Sequence, residues 1–223
     1  VLAVSGWADG YSNTVFRLLK NLNSPVKGLV GPWGHKYPHM GGPGPEIDFL
    51  KECLRWWDYW LKGEDTGVMD EPRLRVWMQD TVSPLSDDRP GRWVVEKKWP
   101  TERIVDREFI ITQQGLVKER LANRYKKKVD IQSPLSVGLF GGKWCSYSEV
   151  ADLPWDQRVE DGGAMLFETA PLEEEVEILG RPFAELEVSI DKPQGMVAVR
   201  LIDIGENDRG TRITYGLLNL THR

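Results

Sequence analysis

Along the first sixty residues the apolar positions fall in two alternating rhythms. Residues 1–6 and 26–31 are short, nearly continuous apolar runs of the kind that parallel strands buried on both faces require. Between them, residues 12–22 place Val15, Phe16, Leu18, Leu19 and Leu22 on one side of a helix. A second helix is predicted over 47–62. There Phe49, Leu50, Cys53, Leu54, Trp57, Trp60 and Leu61 recur at helical spacing, and Gly63 stands in the C-terminal capping position. After the acidic, turn-rich linker at 63–67 the period changes from 3.6 to 2. Strands are predicted at 73–79, 92–99, 108–112, 164–168, 176–179, 183–190, 196–204 and 212–220, separated by Pro, Gly and Asp clusters. Residues 115–161 lack this regularity, and the glycine-rich 139–144 reads as loop. The pattern therefore predicts an α/β segment over 1–66, the end of a parallel sheet, followed by an all-β sandwich over 72–223.

Composition narrows the partners. The chain has 223 residues, 40% of them hydrophobic and 28% charged, which suffices for a buried core. Its net charge of −5 argues against nucleic acid, and the basic stretch Arg124-Tyr125-Lys126-Lys127-Lys128 reads as a solvated loop. No apolar run is long enough for a membrane span, so no membrane partner is expected. Cys53 and Cys145 imply no disulfide framework, and Cys53 fits the apolar face of its helix. Asn219-Leu220-Thr221 matches a glycosylation acceptor but reads as a strand end. The chain opens inside a strand, so its natural start is expected upstream and localisation is unreadable.

The candidate chemistry lies at the ends of the first two strands. Gly6-Trp7-Ala8-Asp9-Gly10 and Gly31-Pro32-Trp33-Gly34-His35 each follow a buried strand directly, where open α/β sheets place their ligand sites. A carboxylate followed in the chain by an imidazole, both at strand ends, matches the last two members of a Ser-Asp-His triad: Asp9 orients, His35 moves protons. No Gly-x-Ser-x-Gly elbow occurs in the chain, so the nucleophile is expected on an upstream segment. Taken singly, Asp9-Gly10 is a common turn signal. A metal site built from His35, His39, Glu46 and Asp48 is rejected, because Pro38 and the Gly-Pro repeats at 41–45 preclude the helix that would align the two imidazoles. Glu46 and Asp48 read instead as N-terminal charges on the next helix. Trp7 and Trp33 are the candidates for substrate contact, although ten tryptophans in the chain favour packing roles. Neither metal nor cofactor is expected.

These residues carry a resemblance. Gly6-Trp7-Ala8-Asp9-Gly10-Tyr11, Gly31-Pro32-Trp33-Gly34-His35 and Trp56-Trp57-Asp58-Tyr59-Trp60-Leu61-Lys62-Gly63 resemble the cocaine-esterase and X-prolyl dipeptidyl-peptidase family of α/β-hydrolases. Arg73-Leu74-Arg75-Val76-Trp77-Met78 is similar to the first strand of that family's C-terminal jelly roll, and Leu153-Pro154-Trp155-Asp156-Gln157-Arg158 to its Pro-x-Asp-Gln segment. Ile178-Leu179-Gly180-Arg181-Pro182 and Val199-Arg200-Leu201-Ile202-Asp203 resemble two later strands. The resemblance implies a serine hydrolase of small-molecule esters or amides, with Asp9 as triad acid and His35 as base. Nucleophile, oxyanion donors and cap would lie upstream, the jelly roll would continue past Arg223, and the chain alone would be inactive. It leaves esterase and peptidase unseparated, with a lean to acyl ester. The competing reading is a non-catalytic sandwich that binds a ligand such as a carbohydrate, and the β domain is also available for a homo-oligomer contact.

Overall fold

The computed structural model describes residues 1–118, 128–147 and 152–221. Arg124 to Lys127 of the basic stretch lie outside them. The fold is mostly strands in several sheets, with few helices, and divides into two compact units: Val1–Arg103 with Gly142–Leu153, and Ile104–Gly141 with Pro154–Arg223. Among the described residues no helix is long and apolar enough to cross a membrane.

The first unit is built on a four-stranded sheet. Strand β1 (Leu2–Gly6) is followed by helix α1 (Ser12–Asn21), strand β2 (Lys27–Gly31), helix α2 (Phe49–Trp57), and strands β3 (Leu74–Gln79) and β4 (Gly91–Glu96). The sheet order is β1-β2-β3-β4, with the first three strands parallel and β4 antiparallel to β3. All five residues of β2 are buried, as befits a central strand, including Lys27 at its start. Helix α1 lays Val15 and Leu19 on the sheet over Gly28, where a Cβ would sit 2.8 Å from Leu19 and 3.0 Å from Val15. That glycine lets helix and strand approach closely. The core is completed by Ala3, Leu29, Val30, Leu74 and Val76.

Helix α2 begins where the sequence places it, with the Asp48 carboxylate accepting from the Lys51 backbone N–H at 3.2 Å. It runs on as a π-helical turn over Asp58–Lys62 and stops at Gly63, whose φ of 74° is the left-handed cap conformation. Lys27, at the start of β2, is buried and donates to the backbone carbonyls of Met69, Glu71 and Pro72, tying the segment that leads into β3 against the sheet. The period-2 run at 74–79 thus joins the same sheet as β1 and β2, with Gly28 opposite Leu74 and Val30 opposite Val76.

The second unit holds two antiparallel hairpins. Strand β5 (Ile110–Thr112) pairs with β6 (Gly115–Val117), and β7 (Met196–Ile204) pairs with β8 (Gly210–Asn219) with a bulge between Leu201 and Ile202. A 3₁₀ helix at Gln157–Gly163 buries Gln157 and Glu160. Glu160 accepts from the backbone of Gly138 and Phe140 and pairs with Arg200 at 3.0 Å. Asp156 accepts from the Gly210 and Arg158 backbone N–H groups. The Pro154–Arg158 segment is therefore a polar hub that pins irregular chain to the β7–β8 hairpin. Residues 164–168, 176–179 and 183–190, predicted as strands, lie outside any ladder among the described residues. Their alternating side chains remain largely exposed, Phe183 by 86%. Alternation marks a face fit for burial, whereas a strand also needs a neighbour to satisfy its backbone.

Leu74 is fully buried between β2 and β4, so Leu74→Ala should cost about 2–5 kcal/mol by the cavity it leaves. Leu61→Ala, at a side chain 75% exposed, should change stability by less than about 0.5 kcal/mol. Urea denaturation midpoints of the two variants check the contrast.

Candidate functional site

The register of β1 on β2 sets the site. Gly6 is directly opposite Gly31, so the two strand-end motifs leave the sheet side by side and in the same direction. The first residues beyond the strands stay cross-bonded: Trp7 N–H donates to Gly31 O at 2.9 Å and Ala8 N–H to Trp33 O at 3.1 Å. Both glycines are required by contact. A Cβ on Gly6 would lie 1.9 Å from the Trp33 carbonyl oxygen, and one on Gly31 would lie 2.6 Å from the Trp33 ring. The Trp33 indole in turn is 1% exposed and donates its N–H to Pro45 O at 2.7 Å. Trp7 donates its N–H to Trp77 O at 2.7 Å and stacks on Phe16. Both indoles, weighed in the sequence as substrate contacts, thus spend their polar edges on backbone carbonyls and their faces on packing.

Asp9 forms a turn and faces an imidazole at once. Its backbone N–H donates to Gly6 O, its carbonyl accepts from Ser12 N–H, and Oδ1 accepts from Tyr11 N–H at 3.0 Å, leading the chain into α1. The same carboxylate places Oδ1 and Oδ2 each 3.2 Å from His35 Nδ1. Ser5 Oγ lies 3.4 Å from Oδ2. The Asp9 side chain is 10% exposed and that of His35 36%, so the carboxylate is sheltered while the ring keeps an accessible edge. With a carboxylate on Nδ1, the neutral ring carries its proton there and leaves Nε2 as the acceptor.

A third segment, remote in sequence, closes over the pair. His35 N–H donates to Ser146 O at 3.2 Å, and the Tyr147 ring meets the imidazole edge-on at 4.6 Å. Tyr11 approaches the same imidazole at 5.5 Å and packs on Trp144 at 5.2 Å. Cys145 Sγ lies 4.0 Å from Asp9 Oδ1. The Tyr147 phenol is held above its ordinary range, first by its hydrogen bond and charge interaction with Cys145. Trp144, Cys145 and Tyr147 carried no site signal in the sequence, which showed there only an aperiodic glycine-rich loop; Tyr11 stood at the end of the first motif with no role assigned to it, and Ser5 adjacent to it. A cavity of about 320 Å³ opens beside β1, lined by Val4, Ser5, Tyr11 and Leu18 and reaching Asp9 and His35. His39 takes no part: its ring stacks on Tyr37 and Phe49.

Residues 66–223 match the family described as the X-Pro dipeptidyl-peptidase C-terminal non-catalytic domain. Asp9 and His35 precede that match. Over the whole chain the protein is 27% identical to proteins of Mycobacterium bovis and Mycobacterium tuberculosis named as serine esterases, covering 36% of each relative. Over 75% of the chain it is 25% identical to a Bacillus anthracis protein named as an Xaa-Pro dipeptidyl-peptidase, covering 25% of that relative. The chain thus spans about a third or less of the length of the curated relatives it matches.

Gly6→Ala should force β1 and the Trp33 backbone apart, lowering stability by about 1–3 kcal/mol and separating Asp9 from His35. Gly216→Ala, where an added Cβ meets nothing within 4 Å, should stay within about 0.5 kcal/mol of the parent. Denaturation midpoints measure the first effect, and the NMR shift of the His35 Nδ1 proton the second.

Proposed function

The chain belongs to the family of the X-Pro dipeptidyl-peptidase C-terminal domain, and on that premise we propose that it is the C-terminal part of a serine hydrolase of the acyl-esterase or X-prolyl dipeptidyl-peptidase type. Asp9 is the acid and His35 the base of its Ser-Asp-His triad, and the serine belongs to an upstream hydrolase segment. The observation that carries this reading is the Asp9 carboxylate 3.2 Å from His35 Nδ1, at the ends of two adjacent parallel strands. Residues 1–66 are then the end of an α/β-hydrolase sheet, which β3 and β4 extend in this structure, and the reading of 72–223 as a jelly-roll domain gives the rest of the chain no chemistry of its own, in keeping with the non-catalytic description of the match. Strand β1 is an edge of its sheet, and the cavity beside it reaches both residues, which suits a nucleophile arriving from that side.

The pair supports a definite sequence of proton movements. His35 Nε2 takes the serine proton as the oxygen attacks the substrate carbonyl, and the imidazolium that forms is stabilised by Asp9 through Nδ1–H. The same Nε2–H then protonates the leaving alcohol or amine, and a water repeats the cycle on the acyl-enzyme. Asp9 remains ionised throughout. Its hydrogen bond from Tyr11 N–H fixes the carboxylate orientation, so the ring does not have to be ordered anew in each cycle. The relatives that align over the whole chain carry the esterase name, which favours an acyl ester substrate.

In the intact protein Asp9→Asn should keep the fold but select the wrong imidazole tautomer, lowering turnover by about 10⁴, the cost known from a serine protease. His35→Ala should do at least as much harm. Hydrolysis of an activated acyl ester, with circular dichroism to verify folding, measures both; near-normal rates in either folded variant would refute the triad. The 223-residue chain by itself should give no catalytic turnover of that ester, for want of nucleophile and oxyanion donors.

A further inference from the structure

The fold brings a thiol to the acid–base pair from 136 positions away in the chain. Among the described residues Asp9, His35 and Cys145 form a cluster whose donor atoms all lie within 4.8 Å of one another. We propose that these three side chains bind a borderline-soft divalent cation, Zn²⁺ above all, through one carboxylate oxygen, one imidazole nitrogen and the thiolate, leaving a fourth position open.

The spacing suits the ion. Zinc bonds of about 2.0–2.1 Å to nitrogen, 2.0–2.2 Å to oxygen and 2.3 Å to sulfur, arranged tetrahedrally, set nitrogen and oxygen donors about 3.3 Å apart and sulfur and oxygen about 3.5 Å apart. Here His35 Nδ1 is 3.2 Å from Asp9 Oδ1, and Cys145 Sγ is 4.0 Å from the same oxygen. A displacement of about half an ångström by Sγ, on a half-buried loop residue, brings the sulfur–oxygen spacing to the tetrahedral value, and the imidazole nitrogen lies within 4.8 Å of the sulfur. One thiolate, one imidazole and one carboxylate also select zinc over magnesium or calcium, which take oxygen ligands throughout. The carboxylate is already oriented by Tyr11 N–H and, at its other oxygen, by Ser5 Oγ, the kind of outer support that ligating groups need.

Binding has a proton balance. Cys145 loses its thiol proton to solvent, and the neutral imidazole moves its proton from Nδ1 to Nε2 so that the Nδ1 lone pair faces the metal. The ion therefore occupies the position of the Nδ1–H···carboxylate hydrogen bond. A bound ion and the triad hydrogen bond therefore exclude one another, and binding is judged without reference to turnover.

Co²⁺ is the probe, because a thiolate ligand gives it an intense near-ultraviolet charge-transfer band. Chelator-treated intact protein should show a stoichiometric band that Zn²⁺ displaces. Cys145→Ser should abolish that band and weaken Zn²⁺ binding by more than the roughly 10–100-fold that follows loss of a supporting group alone. Cys53→Ser, on α2 and outside the cluster, should leave both unchanged, and Asp9→Asn should weaken binding while the thiol is intact. Absence of the band in the unaltered protein, or its persistence in Cys145→Ser, would overturn the site.

Discussion

The in-register parallel pairing of β1 with β2, ending at Gly6 opposite Gly31, is the constraint on which the rest of the site depends. Two strands about 4.8 Å apart deliver their following residues to one place only if nothing intervenes between the emerging chains. Glycine at both positions removes the Cβ atoms that would strike the Trp33 carbonyl and ring. Trp33, locked by its bond to Pro45 and by full burial, is the post around which both motifs turn. Asp9 and His35 meet because the backbones that carry them are held at this separation by Trp7 N–H on Gly31 O and Ala8 N–H on Trp33 O. No attraction between the two side chains has to supply the geometry, so their interaction is free to serve chemistry.

The turn reading of Asp9 and the catalytic role proposed for it are met by one geometry. An aspartate that accepts its own turn's N–H at Oδ1 has a fixed carboxylate plane, and fixing that plane is what an orienting acid must do. The rings of Tyr11 and Tyr147 then meet the imidazole, which keeps 36% of its surface exposed, while Trp144 packs on Tyr11. Trp7 and Trp33 hold the framework from beneath. Of the aromatic residues that meet the imidazole, Tyr11 follows the Asp9 turn directly and Tyr147 comes from a remote loop.

The second unit is organised by buried polar groups more than by apolar area. Glu160, 5% exposed, satisfies two loop N–H groups with one oxygen and Arg200 with the other. Gln157, fully buried, bonds Phe140 O, Trp155 O and Arg200. Each buried acceptor is thus matched by a donor from a different part of the unit, which is costly to mispair and so selects one arrangement of irregular chain. That is a physical reason for the Pro-Trp-Asp-Gln-Arg segment to read as a motif in the sequence.

Periodicity and punctuation alone determined β1, α1, β2, the core of α2 and the strands β3, β4, β7 and β8 to within a few residues, because each of these elements is encoded by neighbours in the chain. The glycines, the aspartate and the histidine at the strand ends were legible for the same reason: strand, turn and helix start are local events. Tertiary structure decided what lies far apart in sequence. It put β3 on β2 through the Lys27 anchor, left 164–168, 176–179 and 183–190 outside any ladder among the described residues despite their alternation, and consumed the polar edges of Trp7 and Trp33 in packing. It also brought Cys145 and Tyr147 to His35 from a loop with no periodic signal. A pattern records which face of an element wants burial; which partner provides it is settled only when distant segments compete for the same surface.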